Sequence, residues 1–311
     1  MEVFSNDKNS WLQSAKNIRF NNNILEADLR TMTGDWKYNK LEIHPLLLNK
    51  HLHNSNGIFK YGLSREEDDT VMKQLFPVYN GPTIPYINIH KCVMLSVDIP
   101  KYNKAREETL HILNNYKLPP IHVHFGHTKE TSHTSKFYDL VNTRNAPTLG
   151  MLDIFDNFVN NSVNNEWLFF VEDDVRPINI DVHQDLSKLY NIPKDAEIIR
   201  PYIGKNENCD ITNINYNISY GGGLAHALYI SVSGCRKVLN YAKKYKWKFI
   251  GDVDLFKLAK YCGGYPTGYD GWSLNSCNGN NDITEQLQED EKINMYQMGH
   301  CIFNQTSCPC V

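Results

Sequence analysis

The sequence predicts an α/β fold with a mostly parallel central sheet covered by helices on both faces. Three observations lead there. From Tyr86 onward, apolar runs of strand length alternate with segments whose apolar residues recur at helical spacing. The strand-length runs are apolar almost throughout, as strands are when both faces of a sheet are buried by helices. A chain of 311 residues that is 41% hydrophobic and 12% aromatic also has enough apolar side chain to fill one large core or two moderate ones.

The elements follow in order. Residues 1–85 form an N-terminal extension without a regular pattern. Within it WLQSAKNIRFNNNILEADLRTM suggests a short helix and a strand, SREEDDTVMKQLF suggests a helix from Ser64, and YNGPTIPY is a punctuated linker. Residues 86–311 form the main domain. YINIHKCVMLSVD is a strand stopped by Pro100. YNKAREETLHILNNY is a helix with Ala105, Leu110, Ile112 and Leu113 at helical spacing. PPIHVHFG is a strand with Ile121, Val123 and Phe125 on one face, expected to be core, and its histidines facing outward. TLGMLDIFDNFVNN is an amphipathic helix and WLFFVEDDV the strand after it. AEIIRPYIG is a further strand. YGGGLAHALYISVSGCRKVLNYAKKY combines a glycine loop, a strand and a helix, and GDVDLFKLAKYC places two carboxylates at a helix start. The remainder is Gly- and Asn-rich loop.

Composition narrows the function. Lys and Arg number 32 against 35 Asp and Glu, a formal charge of −3, so no nucleic-acid partner is expected on electrostatic grounds. No apolar run approaches the roughly 20 residues of a spanning helix, and MEVFSNDKNS lacks the apolar stretch of a secretion signal. The expectation is a cytoplasmic protein with no transmembrane segment. Its eight scattered cysteines are expected to be reduced thiols.

The informative stretch is WLFFVEDDVRP, Trp167–Pro177, in which five apolar residues run directly into Glu172, Asp173 and Asp174. On an extended chain residues i and i+2 point the same way, so Glu172 and Asp174 face one cavity while Asp173 turns to the other side. Like charges this close repel, and a divalent cation keeps both ionised. Oxygen donors of this kind suit Mg²⁺ or Mn²⁺. A solvated acidic loop, or carboxylates capping backbone amides, is the alternative account. In parallel α/β sheets ligands sit beyond the carboxyl ends of the strands, which is where this run lies.

FVEDDV, Phe170–Val175, resembles the acidic motif of glycosyltransferase family 25, the lipopolysaccharide and procollagen galactosyltransferase group. VMLSVDIPKYNKARE, with Arg106, is similar to that family's opening strand and arginine-containing helix. TLGMLDIFDNF is similar to the helix before the motif but lacks its usual Ser-His pair. HALYISVSGCRKVLN followed by GDVDLF resembles a later block and places Ser231, Gly234 and Asp254. The resemblance spans about residues 86–256. It implies a GT-A-like nucleotide-sugar transferase fold of Rossmann type, with Mn²⁺ or Mg²⁺ as cofactor, a UDP-sugar as donor, a glycan or glycoprotein as acceptor, and inversion at the transferred sugar. On that reading Glu172, Asp174 and His300 hold the metal. Asp254 or Asp252 deprotonates the acceptor hydroxyl, with helix capping as their alternative role. Ser96, Asp98, Arg106 and Asp173 line the nucleotide side.

Two competing readings stand beside it. His122, His124 and His127 in HVHFGH have the spacing of a zinc hydrolase ligand set, although Gly126 replaces the expected Asp. The second is a non-catalytic glycan-binding module on a transferase-like fold.

Overall fold

The computed structural model describes residues 10–48, 50–63, 67, 71, 74, 78–140, 146–177, 180–181, 183–201, 211–219, 226–244, 255, 258–260, 287–298 and 303–305. The chain divides into two compact units, Met1–Pro77 with Gly263–Asn275 and Val78–Cys262 with Ser276–Val311.

The N-terminal unit is a small β structure. After a 3₁₀ turn at Ser10–Ser14 come β1 (Ala15–Asn21), β2 (Ile24–Arg30) and β3 (Trp36–Glu42), an antiparallel meander in the order β1-β2-β3. The two-residue turn joining β1 and β2 places Asn22 and Asn23 at positive φ, the conformation such hairpins require and asparagine tolerates. A second hairpin pairs β4 (Leu52–Asn54) with β5 (Phe59–Tyr61). Leu25, Ala27, Leu29 and Leu41 are buried, as are Trp11 and Phe59, whose rings meet edge to face at 5.2 Å. Alternation along β2 and β3 therefore gives this sheet one buried and one solvated face. Most of the helix expected from Ser64 lies outside the described residues.

The larger unit begins with β6 (Thr83–Asn88), β7 (Lys91–Ser96), α1 (Pro100–Leu113), β8 (Ile121–Phe125), α2 (Ala146–Asn160) and β9 (Trp167–Glu172). Pro100 opens α1 at its first position, where a missing N–H costs nothing. The chain continues through β10 (Val175–Pro177), β11 (Lys188–Pro193), β12 (Ile198–Arg200), β13 (Tyr216–Ile218), β14 (Ala227–Ser231), α3 (Val232–Lys244), β15 (Met295–Met298) and β16 (Phe303–Gln305). β6 pairs with β11, and β10 with β16.

Among the described residues seven strands form the main sheet, in the order β13-β15-β12-β14-β9-β7-β8. The sheet is mixed, with five of these seven strands running the same way. β8, β7 and β9 run parallel, as do β12 and β15, but β14 lies antiparallel to both β9 and β12, and β13 antiparallel to β15. Helices cover both faces. Leu168 and Phe170 of β9 join Leu95, Leu228 and Ile230 beneath α2 and α3, whereas Trp167, Phe169 and Val171 face the opposite way with Cys92, Met94, Tyr229 and Leu113 of α1. β9 is thus buried on both sides, which explains its unbroken apolar run. Stacking of Phe169 on Tyr229 at 4.5 Å and the edge contact of Phe155 with Phe170 at 5.8 Å fix it between the two cores. Among the described residues no helix is long and apolar enough to cross a membrane.

Candidate metal centre

β9 carries its face alternation into the acidic run. Glu172, the last residue of the strand, leaves on the α2/α3 side with Leu168 and Phe170. The neighbouring β14 is antiparallel, and its first residue, Ala227, sits opposite Val171. His226 therefore stands opposite Glu172, and the Glu172 N–H donates to the His226 carbonyl at 2.8 Å. Directly opposed residues of antiparallel strands present their side chains on the same face. Accordingly His226 Nδ1 contacts Glu172 Oε2. The chain then turns through Asp173 and Asp174, and Asp174 is brought back to the same place. Donor atoms of Glu172, Asp174 and His226 all lie within 4.8 Å of one another, on three half-buried side chains.

Asp173 goes to the other side, toward α1. Its Oδ2 accepts from the Ser96 hydroxyl at 2.6 Å, and its backbone carbonyl accepts from the Thr109 hydroxyl. Burial raises the Asp173 carboxyl above its ordinary range. The Ser96 hydrogen bond acts against this, while Asp174 and Glu172 add to it. Ser96, itself buried, also accepts from Arg106 Nη1 at 3.3 Å, and Arg106 Nη2 donates to Asn103 at 2.8 Å. The Arg106 guanidinium lies over the ring of Phe125, 5.0 Å from its centroid. The carboxyl ends of β7, β8 and β9 thus gather Ser96, Phe125 and Asp173 around Arg106, with Asp98 exposed in the turn that follows β7.

The structure separates the sequence candidates. Glu172 and Asp174 come together, and Ser96, Arg106 and Asp173 form one hydrogen-bonded set. Asp252, Asp254, His300 and the glycine run 221–223 lie outside the described residues. Of the β8 histidines expected to face outward, His122 is exposed and His124 is not. Register with Leu95 puts His122 and His124 on the α2 side of the sheet, and His124 is half-buried there, while Phe125 on the supposed core face is 50% exposed. His127 is engaged with Asp153 of α2 at 2.6 Å. Among the described residues, the only side chains whose donors converge as a metal group are Glu172, Asp174 and His226.

His226 is the residue missed in the sequence. Its position one residue before an apolar strand is visible there, but its facing Glu172 depends on β14 running antiparallel to β9. A parallel sheet would have given no such pair.

Two carboxylates and an imidazole this close fit a divalent cation, whose charge offsets the two negative groups and whose ligand bonds of about 2.0–2.2 Å are compatible with the donor spacing. The imidazole favours Mn²⁺ or Zn²⁺ over Mg²⁺, which prefers oxygen donors and bound water. No protein-family model matches the chain, and comparison with curated proteins finds no significant match.

Proposed function

We propose that this protein is a metal-dependent glycosyltransferase that moves a sugar from a nucleotide donor, a UDP-sugar, to a hydroxyl group of a glycan or glycoprotein. The observation that carries this reading is the convergence of Glu172, Asp174 and His226 at the carboxyl end of a buried central strand. A sequence resemblance to family 25 around FVEDDV gives the reaction class, and the GT-A-like fold is part of the same proposal. His226, just before β14, joins Glu172 and Asp174 as the third ligand of this proposal, and His300 lies outside the described residues.

Glu172, Asp174 and His226 would hold Mn²⁺. The bound ion supplies electrostatic stabilisation to a diphosphate leaving group. The chain's own residues supply the rest. Ser96 and Arg106 offer a hydroxyl and a guanidinium beside the acidic turn. Phe125 offers an exposed ring at the end of β8 on which a nucleobase can stack, with Arg106 already against it. Asp173, tied to Ser96, positions that hydroxyl rather than binding the ion. Asp254 or Asp252 takes the acceptor proton, as the resemblance implies, and the product is inverted at the anomeric carbon.

Calorimetric titration with UDP, with and without Mn²⁺, tests the reading. The expected result is UDP binding that requires Mn²⁺ and is lost in Asp174→Asn. Equal UDP binding in the presence of a chelator, or metal binding with no nucleotide binding of any kind, overturns it.

A further inference from the structure

The N-terminal unit carries a surface that the catalytic reading does not use. On β3 the residues Trp36, Tyr38, Lys40 and Glu42 share one face, and Lys37, Asn39 and the buried Leu41 share the other. Trp36 is 45% and Tyr38 59% exposed. Two large aromatic rings two residues apart on one face of a strand are about 7 Å apart along it. A single exposed aromatic is ordinary, but a rimmed pair on a solvated sheet face marks an interaction site.

The register shows what surrounds them. Arg30 stands opposite Trp36, Asp28 opposite Tyr38, and Glu26 opposite Lys40. On the far side of β2, Lys16 faces Asp28 and Arg19 faces Glu26. The Lys16 ammonium lies 4.2 Å from the centroid of the Trp36 ring and holds it in place. Tyr38 donates to Glu26 at 2.8 Å, and Asn17, at positive φ in the irregular part of β1, donates to Asp28 at 2.6 Å. The rings are thus pre-ordered, and the carboxylates beside them keep acceptor sites open, since each has two oxygens.

We infer that this face binds a neutral oligosaccharide, with the sugar rings lying on Trp36 and Tyr38 and their hydroxyls bonding to Glu26, Asp28, Arg19 and Arg30. The charge on the face decides the class of ligand. Lys16, Arg19, Arg30 and Lys40 are nearly balanced by Glu26, Asp28 and Glu42, so the surface has no strong field of either sign. Carboxylates in the middle of the patch repel the phosphates of a nucleic acid. A polyhydroxyl chain, needing donors and acceptors side by side and an apolar plane for its C–H faces, matches what is present. This is a second sugar site in a separate unit, and it stands whether or not the larger unit transfers sugar.

The test is binding of the full chain, in EDTA, to an array of neutral hexose and N-acetylhexosamine oligosaccharides. The chelator removes any contribution of the metal centre, so failure of the transferase reading leaves the result unaffected. The expected outcome is saturable retention of at least one oligosaccharide that changes little between about 50 and about 500 mM salt. Trp36→Ala should weaken it by at least about tenfold and Trp36→Phe by less, with an unchanged melting temperature in both. Retention of no oligosaccharide, retention indifferent to Trp36→Ala, a Trp36-dependent dimer in its place, or preferential and salt-sensitive binding of single-stranded nucleic acid would each overturn the inference.

Discussion

The carboxyl ends of β9 and β8 carry similar raw material and make different things of it. Each has side chains able to bind a metal, Glu172 and Asp174 at one, His122, His124 and His127 at the other. Across the sheet they even share a row, since His124 sits beside Leu95, Leu95 beside Glu172, and Glu172 opposite His226. At β9 the donors converge because an antiparallel neighbour supplies a directly opposed partner and a tight turn returns Asp174. At β8, an edge strand, the histidines run along the chain, one exposed, one half-buried and one occupied by Asp153. Leu95 lies between the two groups, and two strand spacings hold them about 10 Å apart. Among the described residues, convergence across strands brings candidate metal donors together, and spacing along a strand does not.

The largest effects should break that contrast. Asp174→Asn or Glu172→Gln is expected to weaken Mn²⁺ binding by at least about 100-fold, since even the partners that merely support metal ligands are worth 10–100-fold. His226→Ala should weaken it as well and shift the remaining preference toward Mg²⁺, because only oxygen donors are left. His122→Ala should leave affinity unchanged. Calorimetry of the four variants decides the matter. A loss in His122→Ala comparable to that in Asp174→Asn would move the centre to β8 and revive the hydrolase reading.

How much of this was legible beforehand follows from the same geometry. The unbroken apolar run of β9 fixed a strand buried on both faces, and period-2 alternation correctly set Glu172 apart from Asp173, which the structure turns to Ser96. Local signals of this kind need only the chain itself. The direction of β14 is set by long-range pairing, and nothing in ALYIS distinguishes a parallel strand from an antiparallel one. His226 was therefore hidden, although it stands beside the strand in plain sequence. The same limit hid the burial of His124 and the exposure of Phe125 on β8. Which side of an edge strand is covered depends on where α1 and α2 land, and its alternation of histidine with apolar residues fits either side. The N-terminal unit was least legible because its strands are short and half solvated, so turn residues such as Asn22 and Asn23 carry more of the signal than apolar pattern does.

Leu95, the wall between the two groups, is held by two glycines, and disturbing it gives an intermediate effect. A Cβ on Gly150 of α2 would lie 2.6 Å from Leu95 Cδ1, closer than packed carbons come, and one on Gly126 would lie 2.9 Å from the same atom. Gly150→Ala must therefore push α2 outward or drive a buried leucine from its rotamer. Inserting volume in this way costs about 1–3 kcal/mol, measurable by urea unfolding. Helix propensity favours alanine over glycine by about 1 kcal/mol, so a net destabilisation would show that the close approach at Leu95 outweighs it. Pairing Gly150→Ala with Leu95→Ala, which removes the clashing atom, should recover part of the loss attributable to the clash. No recovery would mean that α2 is not seated on Leu95.

The smallest effect concerns His124 and depends on pH. Burial lowers its pKa below the ordinary histidine value. The nearby Asp153 carboxylate opposes this, and His127 adds to it. A histidine whose folded pKa lies below its unfolded one favours the folded state while it is neutral. Its contribution is therefore complete above the unfolded value, near 6.5, and is lost as pH falls through the folded value. Melting temperatures of the wild type and of His124→Gln, compared at about pH 7.5 and about pH 5, isolate that contribution, because every other titrating group is common to both. The expected result is a smaller acid-induced drop in His124→Gln than in the wild type, in chelator, with Mn²⁺ affinity unchanged. If His124→Gln instead altered Mn²⁺ binding, the row from His124 to His226 would act as one electrostatic unit through Leu95, and the separation of the two strand ends would be incomplete.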